Sequence, residues 1–299
     1  MEKIFVLMGG CSNERKVSLA SGRNVVEALK SLNKYEVVGL DLQTDSLEGV
    51  DLSGASKVYI ALHGGWGESG GIQAELNKLR IPYTGPGAEA SRIAMDKIAT
   101  KKLMDERGIP NAPWAVVTTA CKTCPLPLPV VVKPPADGSS VGISKVSQAS
   151  EWARALESAR AAQSGEDILV ESFIPGIETT VGVIGDQTLP VIEIVTKHGW
   201  YGYEEKYLSD ETRYPFLEDP VLCAELQRLA LAACKAIGCR GVCRVDFRVT
   251  PEGKCYVLEL NTSPGFTSHS LVPKAGMKTG LTFAEVCDRI LQKADYDHE

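Results

Sequence analysis

The stretch VCRVDFRVTPEGKCYVLELN, residues 242–261, indicates the fold most directly, because it has the pattern of a β-hairpin. Two apolar runs, Val242 to Val249 and Cys255 to Asn261, flank the turn sequence Thr250 to Gly253. Strand-forming residues on both sides of a turn that contains proline and glycine are typical of antiparallel strands. The sequence therefore predicts a hairpin over this whole stretch.

Four polar side chains interrupt these apolar runs. Successive side chains of a strand point to opposite faces, so Arg244 shares a face with Asp246, and Glu259 shares one with Asn261. If Asp246 lies opposite Glu259, all four groups converge, whereas a slip of one residue separates them. The alternative is that both acids form surface salt bridges, but their neighbours are apolar and burying unpaired carboxylates is costly. The pattern therefore favours a magnesium site, for which oxygen ligands are suited.

The first third of the chain alternates strand-like apolar runs with a helix-like amphipathic run. These runs are Ile4 to Met8, Val17 to Leu32, Val37 to Leu40 and Val58 to Leu62. Such alternation builds a parallel sheet flanked by helices, with ligand-binding loops beyond the carboxyl ends of the strands. The loops at Gly9-Gly10 and at His63 to Gly65 fall at these positions.

The remaining two thirds predict a small separate lobe followed by a larger one. The pattern indicates helices at Asp96 to Glu106, Gln148 to Ala162 and Pro220 to Ile237, and strands at Val130 to Lys133, Ile168 to Glu171, Thr179 to Ile184 and Leu189 to Val195. A loop rich in glycine and serine runs from Lys133 to Gly142. Its backbone amides are suited to phosphate oxygens, although an ordinary turn explains it equally well, and it is not a Walker A motif.

Composition and charge restrict the classes of partner. The 299 residues, of which 44% are hydrophobic, are enough for two or three structural units. A net charge of -6 argues against nucleic acid or an anionic membrane as partner, because neutralising phosphates takes clustered Lys and Arg. The first apolar run is too short for a signal peptide and no long apolar run follows, so we expect a cytoplasmic protein. Nine scattered cysteines, with one CxxC at Cys121 and Cys124, favour reduced thiols over a zinc site.

Seven segments spread along the chain resemble the D-alanine:D-alanine ligases. They are GGCSNERKVS at 9–18, ALHG at 61–64, YTG at 83–85, MDK at 95–97, GSSVG at 138–142, EKYLS at 205–209 and ELNTSPG at 259–265. The resemblance covers essentially the whole chain and implies an α/β protein with a three-lobed ATP-grasp fold and an N-terminal parallel α/β lobe. The implied lobes are 1–93 for the first substrate and dimerisation, 94–175 for the phosphate loop and adenine edge, and 176–299 for magnesium, the second substrate and a lid loop.

The resemblance implies an ATP-dependent enzyme that joins two D-alanines into D-alanyl-D-alanine for peptidoglycan precursors. The reaction would pass through a D-alanyl phosphate and release ADP and phosphate. ATP as co-substrate, two Mg²⁺ or Mn²⁺ ions and a cytoplasmic homodimer belong to the same expectation. Alternatives within enzymes are D-lactate or D-serine as second substrate, and the alternative outside enzymes is a degenerate ATP-binding regulatory module.

The resemblance also implies roles for single residues. The metal ligands are Asp246, Glu259 and Asn261. The ATP contacts are Lys97, Lys133, Ser139, Ser140 and Lys206 at the phosphates, Glu178 at the ribose, and Glu171 and Ile174 at the adenine. Among the catalytic and substrate-binding groups, Glu14, Ser139 and Tyr207 would bind the ammonium of the first substrate and His63 its carboxylate. Arg244 and the Gly265 amide would stabilise the oxyanion, and Arg244 would also contact the substrate. Ser270 and Leu271 would bind the carboxylate of the second substrate.

Each of these roles has a simpler alternative. Glu14 is also suited to a helix N-terminus, a histidine after a strand is commonly just hydrogen-bonded, Ser270 would serve as an N-cap, and a lysine is usually only solvated. The chain also departs from the family at Ser172, where many relatives carry lysine, which predicts weaker nucleotide affinity. The region around Trp66 and Ser69 differs from the family's usual pattern of glycines and an acid.

Overall fold

The computed structural model describes residues 1–136, 141–163, 165–197, 211–267 and 269–298. Its first sheet contains the strands β1 (Glu2–Gly9), β2 (Tyr35–Leu42) and β3 (Lys57–Ile60), and the long helix α1 (Arg15–Ser31) connects the first two. The three strands are parallel, in the order β2-β1-β3. The predicted parallel sheet is confirmed, and the loops after β1 and β3 both lie at its carboxyl edge.

Four helices lead from this sheet into the middle of the chain. They are α2 (Gly65–Glu68), α3 (Gly71–Leu79), α4 (Ala88–Met95) and α5 (Lys97–Glu106). The side chain of Asp96 caps α5 by accepting hydrogen bonds from the N–H groups of Ile98 and Ala99. Such a cap satisfies amides that have no partner inside the helix, so Lys97 is fixed as the first helical residue.

The second sheet is antiparallel and small. Its strands are β4 (Trp114–Val117), β5 (Val130–Lys133), β6 (Ser144–Val146) and β7 (Ile168–Ser172), in the order β4-β7-β5-β6. The predicted helix begins with a 3₁₀ turn at Ala149–Glu151 and continues as α6 (Trp152–Ala161), which packs on this sheet. Together they enclose a separate apolar core, which includes Val130, Val132, Val146, Trp152, Leu156, Ile168 and Val170.

The third sheet carries the hairpin. Its strands are β8 (Ile177–Ile184), β9 (Gln187–Thr188), β10 (Ile192–Ile194), β11 (Val242–Val249) and β12 (Cys255–Asn261), in the order β10-β8-β11-β12 with β9 beside β8. Helix α7 (Pro220–Ile237) has the predicted bounds. The predicted strand Leu189 to Val195 is wrong in its first half, because Pro190 has no N–H to donate and the strand begins only after it.

Two terminal helices, α8 (Leu271–Lys278) and α9 (Phe283–Leu291), join the third sheet to the first. Apolar side chains of β1, α1 and α9 form one continuous core with side chains of β8 and α8. The first and third sheets therefore share a core, whereas the second has its own. Within the described ranges, no helix has both the length and the apolar character needed to cross a membrane. All nine cysteines are free thiols, and Cys121 and Cys124 pack beside the core of the second sheet.

Candidate active site

The hairpin strands β11 and β12 pair in the register that brings their polar side chains together. Asp246 lies opposite Glu259 and Arg244 opposite Asn261, and a bulge follows between Asp246 and Phe247. Side chains directly opposite each other in an antiparallel pair project from the same face. The predicted convergence of the four groups is confirmed.

Asp246 is the centre of this group and is 3% exposed. Its Oδ1 accepts hydrogen bonds from Thr180 Oγ1 at 2.6 Å and Arg244 Nε at 2.9 Å. Its Oδ2 accepts from Arg244 Nη2 at 2.8 Å and Asn261 Nδ2 at 2.9 Å. Two parallel bonds between arginine and a carboxylate fix the orientation of both groups. The alternative of a surface salt bridge is therefore wrong for Asp246, which belongs to a buried network.

The same residues fit a hard divalent cation. Asp246 and Glu259 provide carboxylate oxygens and Asn261 an amide oxygen on two adjacent strands. Because a carboxylate oxygen has more than one lone pair, the oxygens of Asp246 can accept their hydrogen bonds and still coordinate a cation. In the described part of the chain, no three or more His, Cys, Asp or Glu side chains form a group that could hold a metal ion by themselves. The donor set therefore suits Mg²⁺, which takes few protein oxygens and completes its shell with phosphate oxygens and water.

Lys133 and Glu171 form a buried ion pair on neighbouring strands of the second sheet. Burial alone would raise the pKa of Glu171, which is 2% exposed, but Lys133 and Lys101 lower that pKa to about 2. Burial alone would lower the pKa of Lys133, whereas the charges of Glu171, Glu259 and Glu178 raise it. Lys133 of the second sheet therefore lies within electrostatic reach of two acids of the third sheet, Glu178 in β8 and Glu259 in the hairpin.

Three further residues predicted to contact ATP lie at the junction of these two sheets. Glu178 in β8 forms a 3.5 Å ion pair with Arg248, and the carbonyl of Ile174 accepts a 3.1 Å hydrogen bond from Arg248 Nε. The N–H of Lys97 donates to the carbonyl of Pro135 at 2.9 Å, so the start of α5 is fixed beside the predicted phosphate loop. These contacts position the residues, and their roles toward ATP stay predictions.

Glu14 lies where the loops after β1 and β3 meet. A Cβ added to Gly64 would lie 2.8 Å from Glu14 Oε2, and Gly64 has a φ of +67°, which strains any other residue. The Glu14 side chain makes no capping hydrogen bond to α1, although it precedes that helix. Its carboxylate lies instead against the His63-Gly64 loop.

His63 is 5% exposed, and both of its ring nitrogens have protein partners. Nδ1 lies 2.9 Å from the carbonyl oxygen of Ser263, and Nε2 lies 3.0 Å from Ser21 Oγ, which also accepts the N–H of Phe266 at 3.0 Å. Because a carbonyl only accepts, Nδ1 carries the hydrogen and the Ser21 hydroxyl donates to Nε2. Burial lowers the pKa of His63, and Glu14 partly offsets this. A contact from His63 to a substrate carboxylate stays a prediction.

Glu68 belongs to the same pocket, although it was not among the predicted site residues. Its carboxylate accepts a 3.0 Å hydrogen bond from the N–H of Gly64, and burial together with Glu14 raises its pKa to about 7. The charge of Arg244 lowers the pKa of Glu68, so Glu68 lies between this pocket and the Asp246 network. The available signal was that Glu68 is the one acid in the glycine-rich stretch 64–71.

Gly265 and Ser270 are neighbours at the start of α8. A Cβ on Gly265 would lie 3.2 Å from Ser270 Oγ. The Ser270 hydroxyl bonds to the N–H and Oγ1 of Thr267, both at 3.0 Å, and makes no capping bond to the helix. Ser270 is therefore the N-cap residue of α8 by position, but its side chain does not cap the helix. Leu271 is the first residue of α8, where backbone amides have no partner within the helix.

Four predicted residues, Ser139, Ser140, Lys206 and Tyr207, lie outside the described residues. Conversely, Lys101 was missed, although it contacts Glu171 Oε1 at 2.6 Å. Its signal was the spacing of four residues after Lys97, which puts both lysines on one face of a helix.

Comparison with known proteins gives a consistent result. The family model described as D-ala D-ala ligase C-terminus matches residues 103–292. A D-alanine–D-alanine ligase of Syntrophotalea carbinolica is 45% identical over 98% of this chain and 96% of its own length. A Bacillus anthracis D-alanine–D-alanine ligase solved with ATP has a TM-score of 0.86 at 30% identity, covering 98% of this chain and 97% of that one. The Enterococcus faecalis VanG D-Ala:D-Ser ligase has a TM-score of 0.84 at 27% identity, covering 97% and 98%. The chain belongs to the D-alanine–D-alanine ligase family.

Proposed function

We propose that this chain uses ATP to ligate two D-alanines into D-alanyl-D-alanine, with release of ADP and phosphate, for peptidoglycan precursor synthesis. The observation that supports this most is the Asp246 network, in which Arg244 acts electrostatically on Glu68, while Glu259 of the same hairpin acts on Lys133 of the second sheet. One continuous set of charged groups thus extends from the pocket of the first substrate to that of the nucleotide.

The first step transfers the terminal phosphoryl group of ATP to the carboxylate of the first D-alanine. Two unit negative charges 4 Å apart repel by about 4 kcal/mol at an intermediate dielectric, so positive groups are required. Lys97, Lys133 and Lys206 supply them from the protein. Asp246, Glu259 and Asn261 would hold two Mg²⁺ ions, which when bound offset the charge of the phosphate oxygens. Glu178 binds the ribose, and Glu171 and Ile174 line the adenine.

Glu14 binds the ammonium of the first D-alanine, directly or through Ser139 and Tyr207. The adjacent Glu68 has a pKa of about 7, so it loses its proton readily when a cation arrives beside it. His63, held in one tautomer by Ser21 and Ser263, keeps this loop in position and orients the first carboxylate.

The second step forms the peptide bond. The amine of the second D-alanine attacks the acyl carbon, the carbonyl becomes a tetrahedral oxyanion, and phosphate leaves with the electron pair of the C–O bond and takes up the proton that the nitrogen loses. Arg244 and the Gly265 amide stabilise the oxyanion, and Asp246 fixes the guanidinium before the substrate arrives. Ser270 and the Leu271 amide bind the second carboxylate. Because acyl phosphates hydrolyse readily, the loops that carry Ser139 and Tyr207 act as lids against water.

The test is phosphate release from ATP by the purified chain with D-alanine, L-alanine, D-serine or D-lactate, with the product identified by mass. We expect release that requires D-alanine and yields D-alanyl-D-alanine. ATP binding without D-alanine-dependent release would instead support the regulatory module.

A D-alanine:D-serine ligase is the second candidate, because the VanG D-Ala:D-Ser ligase has nearly the same fold similarity as the D-alanine–D-alanine ligase. The same assay with D-alanine and D-serine together decides between them. A mixed product in excess over D-alanyl-D-alanine would replace the first proposal, and a requirement for D-lactate would do so in favour of the ester-forming type.

We further propose a cytoplasmic homodimer that associates through the first lobe, residues 1–93, with the nucleotide between lobes 94–175 and 176–299. The family resemblance supports this arrangement. Sedimentation equilibrium should give twice the mass of the 32.2 kDa chain. A monomer at micromolar concentration would contradict it.

A further inference from the structure

Lys101 is a buried charge to which the proposed function assigns no role. It lies in the middle of α5 and is 2% exposed. Its Nζ contacts Glu171 Oε1 at 2.6 Å, Asn111 Oδ1 at 3.1 Å and the carbonyl of Ala112 at 3.3 Å. Removing a lysine ammonium from water is costly, and three partners are needed to offset that cost. A buried lysine with this many fixed partners calls for an explanation.

The carboxylate of Glu171 is shared between two lysines. Lys101 binds its Oε1, while Lys133 binds its Oε2. Lys101 and Glu171 are buried and the Lys133 side chain is only 11% exposed, so solvent screens their charges little. Burial lowers the pKa of Lys101 and Glu171 only partly offsets this, whereas the pKa of Glu171 is lowered to about 2. The glutamate is therefore an ion, and the trio carries one net positive charge when both lysines are protonated.

This sharing matters because of where Lys133 lies. Lys133 is the member of the trio next to Glu259 and Glu178 of the third sheet, where the phosphates of ATP are proposed to bind. If Glu171 were paired with Lys133 alone, the two charges would cancel at that point. Because Lys101 is paired with Oε1, the negative charge of Glu171 has a positive partner other than Lys133.

We infer that Lys101 is a positioning residue that neutralises Glu171 and so leaves the positive charge of Lys133 for the phosphates of the nucleotide. This rests on the proposed function, in which Lys133 contacts ATP. Lys101 itself touches neither nucleotide nor amino acid. It acts through the carboxylate of Glu171, which belongs to β7 of the second sheet.

Lys101 also joins separate parts of the chain, which explains why it is fixed so firmly. Its partners Asn111 and Ala112 belong to the crossover segment, residues 109–113, between α5 and β4. This segment bonds to the third sheet through Val257 N–H and Pro110 carbonyl at 2.9 Å, and to the second through Ser172 N–H and Pro113 carbonyl at 2.8 Å. The ammonium is therefore held in place from two directions.

The experiment measures displacement of a fluorescent ATP analogue by ATP and by adenosine, in the full chain with Mg²⁺. In Lys101→Met, we expect ATP affinity to fall about 10- to 100-fold, because one positive charge near the phosphates is cancelled, while adenosine affinity and KM for D-alanine change less than about threefold. Lys101→Arg keeps the charge and should stay close to the wild type. The matched control is Lys102→Met, since Lys102 is exposed on the same helix.

A double variant separates charge from structure. Lys101→Met combined with Glu171→Gln restores one net positive charge, so the ratio of ATP affinity to adenosine affinity should return to within about fivefold of the wild-type ratio; the ratio is the measure because Glu171 also lines the adenine, which both ligands share. This variant also removes both members of the pair, so it keeps the test decisive if Lys101→Met alone does not fold. Equal losses of ATP and adenosine affinity in Lys101→Met would overturn the inference. No recovery of the ratio of ATP affinity to adenosine affinity in the double variant would also overturn it.

Failure of the inference about Lys101 can be distinguished from failure of the proposed function. If the wild type shows no D-alanine-dependent phosphate release, the proposed function is wrong. If the wild type is active and Lys101→Met binds ATP normally, only the role of Lys101 is wrong.

Discussion

The first-substrate pocket and the nucleotide side of the site are built on different cores. His63 is held by Ser21 of α1 and by Ser263, and Phe266 beside them belongs to the core that the first and third sheets share. Lys133 and Glu171 belong instead to the second sheet, whose apolar core is separate. One half of the site is thus part of the main body of the molecule, and the other half is carried by a small unit.

The difference teaches how this site combines rigidity with movement. A pocket whose hydrogen bonds bridge two sheets of one core is fixed before the substrate arrives, which favours precise orientation. A small unit with its own core is the kind of element that closes as a body over a substrate in other enzymes, and here the crossover segment, residues 109–113, connects it to the third sheet. We therefore expect changes on the two sides to affect different measurements.

The largest effect is expected at Glu259, where the two sides meet. Glu259→Gln should lower ligation by about 1,000-fold, because a carboxylate that would hold the cation is replaced by a neutral amide. The fold should be retained, since Glu259 is only partly buried. The measurements are phosphate release and the melting temperature. Glu252→Gln, at the exposed turn of the same hairpin, is the control, and near-normal activity of Glu259→Gln would remove the metal assignment.

The next effect tests whether the second sheet is an independent unit. Glu171→Gln leaves Lys101 and Lys133 buried without their counter-charge, so we expect a loss of about 3 kcal/mol in local stability. Amide hydrogen exchange should become faster in β5 and β7 and stay unchanged in β1. Glu157→Gln, on the exposed face of α6, is the control. Equal acceleration in β1 would show that the two cores unfold together.

The third prediction concerns the pH dependence of the first-substrate side. The pKa of Glu68 is raised from 4.5 to about 7 in the folded protein. Between these pH values the folded state binds more protons than the unfolded state, so the free energy of unfolding falls as pH rises. This loss of stability reaches its full size above pH 7. Because Glu68 is partly exposed, we expect a contribution of about 1 to 2 kcal/mol.

Glu68→Gln removes this contribution, so its stability relative to the wild type should rise from pH 5 to pH 8 by about that amount. Urea unfolding across this pH range measures the effect. Glu48→Gln, an exposed acid of the same lobe, is the control. A difference between wild type and variant that does not depend on pH would contradict the raised pKa.

What the sequence predicted well was local. The hairpin bounds followed from a period of two residues on each side of one turn, whereas the opposition of Asp246 to Glu259 was only a condition and is met because the β-bulge between Asp246 and Phe247 shifts the register by one residue. The bounds of α7 followed similarly from its periodicity, and Pro190 should have shortened the predicted strand that contains it. Patterns of this kind depend only on residues that are close in the chain.

What the sequence did not predict depends on contacts between distant residues. Lys101 has a role because it meets Glu171, and Glu68 has one because Glu14 and Arg244 surround it. The spacing of Lys101 after Lys97 and the single acid in the glycine-rich stretch 64–71 are weak signals by themselves. Burial gives them their properties, and burial follows from the way the sheets pack.

The smallest effect is expected at Ser172, the position where many relatives carry lysine. Its N–H is bonded to Pro113, and its side chain is partly buried and follows Glu171 in β7. Ser172→Lys adds a positive charge to the nucleotide side only, so KM for ATP should fall by about threefold, equivalent to about 0.7 kcal/mol, with KM for D-alanine unchanged.

Ser150→Lys is the matched control, because Ser150 is an exposed serine of the same lobe and lies in the 3₁₀ turn before α6 instead of in the strand that carries Glu171. The gain in Ser172→Lys should shrink as salt rises, since a partly exposed charge is screened. If both variants lower KM for ATP equally, the effect is one of net charge. If Ser172→Lys alone also lowers KM for D-alanine, the nucleotide side is not separate from the first-substrate pocket, and the division of the site between two cores loses its functional meaning.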